Sequence, residues 1–267
     1  MRNLDFRMTF ALSLIVGAGA LAGAQDKQPV SNITGQAPVG ESRIEVGLAF
    51  AQTLGSVTFD STQTYKEYVE DATLKASYKV GKAPGGGFDL QYNLNPKFGI
   101  RLGAQTFSRK SDGTFTAQIP HPFFFSKPRS ASGTASGLGF SEAAFSLTGV
   151  LRGGSGKWKF NLEGGPAYFS VNATVAEKIT YGEVYPYDTI TFSGISSTKK
   201  KVSPFGFAVG VEVGRVLSNA VAVVAQGRFT QGSGDLDING QKIKVKAGGA
   251  QARIGLRLIL ARKRAAS

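Results

Sequence analysis

The sequence predicts an all-β fold in the form of an eight-stranded antiparallel up-and-down transmembrane β-barrel. Apolar residues recur at every second position along most of the chain, which is the period of a strand with two different faces. The connections between these segments are alternately short and long, as in outer-membrane barrels. In each segment the large apolar side chains share one face, and the other face carries small, charged and amide residues.

Eight segments show this alternation, and most are bounded by turn residues such as glycine, proline and asparagine. They span residues 42–54, 86–94, 98–108, 139–151, 157–176, 204–216, 220–231 and 248–261. Three connections are short, at 95–97, 152–156 and 217–219. Four are long and are expected to be loops, at 55–85, 109–138, 177–203 and 232–247. An even strand count places both chain ends on the periplasmic side.

The face without large apolar residues favours a membrane barrel over a soluble sandwich, which would turn its large apolar side chains inward. Small and charged residues suit the narrow lumen of an eight-stranded barrel. Opposite charges are expected to pair there, because an unpaired charge in a low-dielectric interior is strongly destabilising. The predicted lumen charge network contains Arg43, Glu45, Asp89, Arg101, Glu142, Lys159, Glu163, Glu212, Arg228, Arg253 and Arg257.

The first 24 residues have the features of a secretory signal peptide. Arg2 and Arg7 give a basic start, residues 8–21 are largely apolar, and residues 22–24 form an A-x-A cleavage site. The alternative, an uncleaved membrane anchor, needs about 20 apolar residues. The predicted organisation is a signal peptide at 1–24, a flexible segment at 25–41, a barrel at 42–261 and a basic tail at 262–267.

The chain carries a net charge of +13, and removal of residues 1–24 leaves +12, so the basic excess belongs to the mature protein. Lipid phosphates and acidic surface glycans are the polyanions that an exported protein would meet. Nucleic acid is disfavoured as a partner, because the sequence contains no basic helix and no aromatic nucleic-acid motif. The chain has no cysteine, which excludes disulfides and thiolate metal sites.

Residues 205–229 contain the motifs Phe205-Gly206-Phe207, Leu217-Ser218-Asn219 and Gln226-Gly227-Arg228-Phe229. Residues 85–101 contain Gly85-Gly86-Gly87-Phe88 and Asn95-Pro96-Lys97-Phe98-Gly99-Ile100-Arg101. The first stretch resembles the penultimate hairpin, and the second the hairpin between the second and third strands, of the OmpA-like and porin-like outer-membrane β-barrel domain family. The resemblance implies a location in the bacterial outer membrane, contact with its lipids and assembly by the outer-membrane insertion machinery. It identifies an architecture and no particular activity.

No catalytic, cofactor or metal site is predicted. The only histidine, His121, lies in a predicted loop and is expected to be solvated, because base catalysis needs a nucleophile and an orienting group within hydrogen-bond distance. Asp235 and Asp237 lie on a predicted hairpin arm with Asn239-Gly240 at its tip, and they lack the further acids of a calcium loop. The glycines at 153–156 lack the first glycine of a phosphate loop and the hydroxyl residue after its lysine.

The long connections are where function is expected, because loops on a rigid scaffold carry most binding residues. Phe123, Phe124 and Phe125 form an exposed apolar cluster if their loop protrudes, or pack on neighbouring loops. Lys199, Lys200 and Lys201 precede the sixth strand and either contact lipid phosphates or are simply solvated.

The leading hypothesis is therefore a non-enzymatic protein with a structural or surface-interaction role, whose extracellular ligand the sequence does not indicate. The alternative is a narrow channel or lateral path for small molecules. A lipid A-modifying enzyme is a less favoured third reading.

Overall fold

The alternating pattern produces eleven strands in the computed structural model, which describes residues 43–238 and 241–260. The strands are β1 (Ile44–Thr53), β2 (Val57–Glu67), β3 (Glu70–Val80), β4 (Pro84–Asn93), β5 (Phe98–Ile119), β6 (Arg129–Ser155), β7 (Trp158–Glu183), β8 (Ile190–Val202), β9 (Phe205–Val216), β10 (Val221–Ile238) and β11 (Gln241–Leu260). Among these residues, no helix is long and apolar enough to cross a membrane.

Eight of these strands close into a ring. The antiparallel ladder runs from β1 through β4, β5, β6, β7, β9, β10 and β11, and β11 pairs again with β1. Closure satisfies the backbone groups of both edges, which a sheet in lipid requires. These strands correspond to the eight predicted segments, so the prediction of an eight-stranded antiparallel barrel is confirmed.

The prediction of loops is wrong for the connections at 55–85, 109–138 and 177–203, whereas the hairpin arm predicted for Asp235 and Asp237 is confirmed, because β10 pairs with β11 there. β2 and β3 form a hairpin, and β3 pairs with the distal half of β5. β8 pairs with the distal half of β7, while β6, β10 and β11 also continue past the ring. We call this outer part the extension; it comprises β2, β3, β8 and residues 108–119, 129–141, 170–183, 232–238 and 241–247. Its strands are rich in threonine and serine, whose polar alternation is a weaker signal than the apolar alternation of the ring.

The chemistry of the two strand faces reverses between the ring and the extension. In the ring part of β5, Leu102 points outward and Arg101 is buried. In its extension part, Thr116 is exposed and Phe115 is fully buried. The interior of the extension is therefore an apolar core, which includes Phe59, Leu74, Tyr78, Phe115, Ile119, Phe169, Val175, Ile179, Leu236 and Val245. This is the arrangement of a soluble β-protein, so the extension is built to stand in water.

The outside of the ring carries a continuous belt of exposed apolar side chains. Tyr92, Phe98 and Trp158 lie near the short turns, and Phe205 and Phe229 lie near the extension, as expected for two aromatic girdles. β1 and β4 have 10 residues each, which matches the 9–11 residues of a transmembrane strand. β5, β6 and β7 have 22, 27 and 26 residues and must extend well beyond a membrane.

Candidate functional site

Two arginines organise the lumen of the ring. Arg101 donates from Nη1 to Glu163 at 2.6 Å and contacts Glu212 at 3.1 Å. Arg257 donates from Nη2 to Asp89 and to Glu212, both at 2.8 Å. Each side chain is almost entirely buried, so these pairs are shielded from water and salt. The two arginines bridge carboxylates from β4, β7 and β9 across the barrel.

Further charges lie around this centre. Glu45 contacts Lys159 at 3.1 Å and Arg152 at 3.3 Å near the short turns. Towards the extension, Arg228 lies 3.4 Å from Glu163, and Arg253 donates to the amide of Gln226 at 2.8 Å. Sequence reasoning missed Arg152, because this residue lies in a predicted turn and reaches the lumen only through the length of its side chain.

The two remaining residues assigned to the network from the sequence form none of these ion pairs. Arg43 is exposed and precedes β1, so its assignment to the lumen is corrected. Glu142 is buried, but it accepts a hydrogen bond from the backbone N–H of Gly248 at 3.1 Å, towards the extension.

Glycine supplies the space that the long side chains of the lumen need. A Cβ at Gly47 would lie 2.6 Å from the Asp89 carboxylate. The side chains therefore fill the lumen and close it with ion pairs.

The second candidate feature is an apolar cluster at the tips of the extension. We call it the crown; its residues come from three hairpin tips and are Val69, Phe123, Phe124, Phe125, Val184 and Tyr185. Their exposed fractions range from 57% to 87%, and Phe125 is 78% exposed. Phe123 also packs edge-to-face on Tyr187 of a neighbouring tip, with ring centroids 5.6 Å apart, so the cluster is exposed and also contacts a neighbouring segment.

Hydrogen bonds between the three tips hold the crown in place. Arg129, almost fully buried, donates to Glu183 at 2.6 Å and to the backbone carbonyls of Tyr187 and Pro120. Tyr68 donates from its hydroxyl to the same Glu183 carboxylate at 2.9 Å. Burial alone would raise the pKa of Glu183, but the hydrogen bonds from Arg129 and Tyr68 outweigh it and lower that pKa. The carboxylate is therefore ionised at neutral pH and links all three tips.

His121 supports the crown from below. It is 2% exposed, so the expectation of a solvated histidine is wrong. Its Nδ1 accepts hydrogen bonds from the backbone N–H groups of Phe123 at 3.1 Å and Phe124 at 3.2 Å. The imidazole of His121 thus orders the backbone at the start of the three phenylalanines. Among the residues that the structure describes, no group of three or more histidine, aspartate or glutamate side chains is placed to hold a metal ion.

The three consecutive lysines lie on a strand and not in a loop, which corrects the sequence interpretation. Lys199, Lys200 and Lys201 belong to β8, and their partners on β7 are residues 172–174. Strand alternation turns Lys199 and Lys201 outward, whereas Lys200 faces the other way and lies 3.8 Å from Glu177. The predicted basic run is thus divided between two faces of the sheet.

The fold is shared with a solved bacterial outer-membrane protein. OprG from Pseudomonas aeruginosa superposes with a TM-score of 0.53 at 12% identity, over 84% of this chain and 99% of that chain. The chain therefore has the fold of an eight-stranded outer-membrane β-barrel. Neisserial surface protein A (TM-score 0.43, 10% identity, 82% and 98% coverage) and Ail of Yersinia pestis (0.36, 8%, 80% and 97%) are also similar to it. No family model and no curated protein sequence matches the chain.

The barrel's lumen network predicts a large effect for loss of one central arginine. Replacing Arg257 with Met would leave Asp89, Glu212 and Glu45 without one of their cations, and breaking a buried ion pair costs about 3–5 kcal/mol. We expect Arg257→Met to lower the urea midpoint of the refolded barrel and the temperature at which its folded band disappears on a semi-native gel. Arg215→Met, on the exposed face of β9, is the control and is expected to leave both values close to those of the native chain.

The crown is expected to loosen in acid. Because the folded-state pKa of Glu183 is depressed, its contribution is present above the unfolded-state pKa of about 4.3 and is lost as the pH falls through the folded-state value. Hydrogen exchange of residues 120–128, corrected for intrinsic rates, should stay slow down to about that pH and accelerate below it. Asp188, paired with Lys127, titrates nearby, so Glu183→Gln is the decisive comparison. Persistence of the same acid transition in that variant would contradict the role of Glu183.

Proposed function

We propose that this chain is a non-enzymatic outer-membrane protein that presents the crown to a protein partner outside the cell. In this proposal residues 1–24 direct export, both chain ends lie on the periplasmic side, and the extension projects from the cell surface. The observation that carries the proposal is a cluster of exposed aromatic and apolar side chains fixed at the end of the extension, far from the membrane-facing belt.

The composition of the crown favours a protein as the partner. Its centre is formed by phenylalanine, tyrosine and valine, and its rim carries Lys127, Asp188 and Glu70. An apolar, aromatic centre within a polar rim is the usual anatomy of a protein interface. The ion pair between buried Arg129 and partly exposed Glu183 fixes the tips before binding, which reduces the conformational entropy lost on association.

The closed lumen supports an interaction role over an open pore. The charged side chains of the network contact one another across the barrel, and the apolar core of the extension lies above them. The histidine-based lipid A chemistry considered from the sequence has no support from His121, which lies at a tip of the extension, away from the lipid-facing belt.

A photo-crosslinking phenylalanine analogue placed at Phe124 in intact cells tests the interaction role. We expect one discrete cross-linked product that is lost when Phe123 and Phe125 are both changed to Ser. The same analogue at Thr114, an exposed position on the side of the extension, is the matched control and should give no such product. Identical products from both positions, or none from Phe124, would contradict a partner at the crown.

A lateral path for small apolar molecules is the second candidate, and one observation favours it. The ladder between β6 and β7 is interrupted, because paired residues jump from Ser146 and Ala167 to Gly149 and Gly164. Pro166 lies in the gap and has no N–H to donate. An apolar cleft of about 410 Å³ opens beside it on the lipid-facing side, lined in part by Leu147 and Tyr168.

Uptake of a small apolar dye into proteoliposomes separates the two candidates. An interaction protein leaves the uptake rate at that of protein-free liposomes. A lateral path raises the rate, and Leu147→Trp, which fills the cleft, would reduce it again. Planar-bilayer conductance of the same preparation reports on an axial pore, which the lumen network is expected to keep closed.

A further inference from the structure

A basic groove lies on the outer surface of the extension, next to the lipid-facing belt. Its volume is about 720 Å³, and it crosses the sheet from β5 to β8. Lys110 borders it on β5, and Lys199 and Lys201 border it on β8. The side chains of all three lysines point away from the apolar core, and each residue is exposed.

The register explains why these lysines converge on one groove. Ser108 pairs with Ser141, Ser141 with Asn172, and Asn172 with Lys201, which forms one row across four strands. In the next row Lys110 pairs with Gly139, and Thr174 pairs with Lys199.

The floor between the lysines is polar and shallow. A Cβ at Gly139 would lie 3.4 Å from the hydroxyl of Thr174, so the missing side chain opens the floor. Asn172 and Ser141 lie within 3.5 Å of each other, and both can donate hydrogen bonds. Three ammonium groups around amide and hydroxyl donors form a setting suited to a phosphate.

Two acidic residues lie near the groove, and neither is among the residues that line it. Asp112 follows Lys110 on the same face of β5, but its partner across the ladder is Lys79 on β3. Glu177 lies 3.8 Å from Lys200, whose side chain is on the opposite face of β8. The groove face therefore keeps a positive balance.

The position of the groove indicates the source of the phosphate. The apolar cleft beside Pro166 lies on β5, β6 and β7 below the groove, and its upper boundary is formed by Phe145 and Tyr168. Ser141 lies four positions before Phe145 on β6, and Asn172 lies four positions after Tyr168 on β7, so the groove begins about 13 Å further along the strands. An acyl chain in the cleft would place its headgroup at the groove.

We propose that the groove binds the phosphate of an anionic lipid whose acyl chain lies in the apolar cleft. The lysines attract the headgroup electrostatically, and the serine, threonine and asparagine side chains orient it. This site lies on the side of the extension and is separate from the crown, so it stands independently of a partner at the crown.

Native mass spectrometry of the full refolded chain in detergent tests the site. The probes are short-chain phosphatidic acid, phosphatidylcholine with the same acyl chains, and inorganic phosphate as a competitor. We expect phosphatidic acid to be retained and phosphatidylcholine to be lost. Combined Lys110→Gln, Lys199→Gln and Lys201→Gln should weaken retention of phosphatidic acid at least ~10-fold.

The control variant changes the same amount of charge elsewhere on the extension. It combines Lys75→Gln, Lys242→Gln and Lys244→Gln on β3 and β11, and should retain phosphatidic acid like the native chain. Ala104→Phe, which narrows the cleft, should also weaken retention, because the acyl chain loses its contacts.

Three results would overturn the proposal. Equal retention of phosphatidic acid by the groove and control variants would show that Lys110, Lys199 and Lys201 do not contribute to binding. Equal retention of phosphatidylcholine would show that the groove does not recognise the phosphate monoester of phosphatidic acid. Displacement of the lipid by an equal concentration of inorganic phosphate assigns the groove to a free anion and not to a membrane lipid.

Discussion

The pairing of β1 with β11 is the constraint on which the rest of the molecule depends. Without this pairing two edge strands would expose their N–H and C=O groups to lipid, where no water can satisfy them. Closing eight strands into a ring leaves an interior only wide enough for side chains. The ring therefore needs small residues beside long charged ones, and Gly47 beside Asp89 shows how closely these are fitted. The ion pairs of the lumen are thus a consequence of closure as much as of sequence.

The reversal of face chemistry follows from the change of solvent along one strand. On β5 the outward residues pass from Leu102 to Thr116, while the inward residues pass from Arg101 to Phe115, and strand alternation is kept apart from one irregularity between Ser111 and Gly113. Lipid surrounds the first part and water the second. The backbone thus continues from one environment to the other, and only the side chains change. This continuity makes the extension a hydrogen-bonded continuation of the barrel's sheet instead of a set of loops.

The sequence predicted the ring well because its strands carry large apolar residues at every second position. It failed for the extension because the contrast between the two faces is weaker there: Thr62 stands between the buried polar residues Ser61 and Gln63. It also failed where a position depends on tertiary contacts. Arg152 reaches Glu45 across 107 residues of sequence, and buried His121 lies 3.8 Å from Asp188 of a neighbouring tip. Residues 1–42, 239–240 and 261–267 lie outside the described residues, so the signal peptide, the flexible segment and the basic tail remain predictions.

The stability of the extension determines what its surface can do. Exposed phenylalanines on a mobile loop would fold back onto the nearest apolar surface, since burial of such side chains is favourable. At the crown, the Arg129–Glu183 pair and the backbone hydrogen bonds to His121 hold Phe123 and Phe124 away from the core. The apolar core below is already filled by Phe115, Ile119 and Val175, so it offers no space for them. The exposed aromatic surface is therefore a property that the packing enforces, and a surface of this kind is better suited to association than to a passive structural cap.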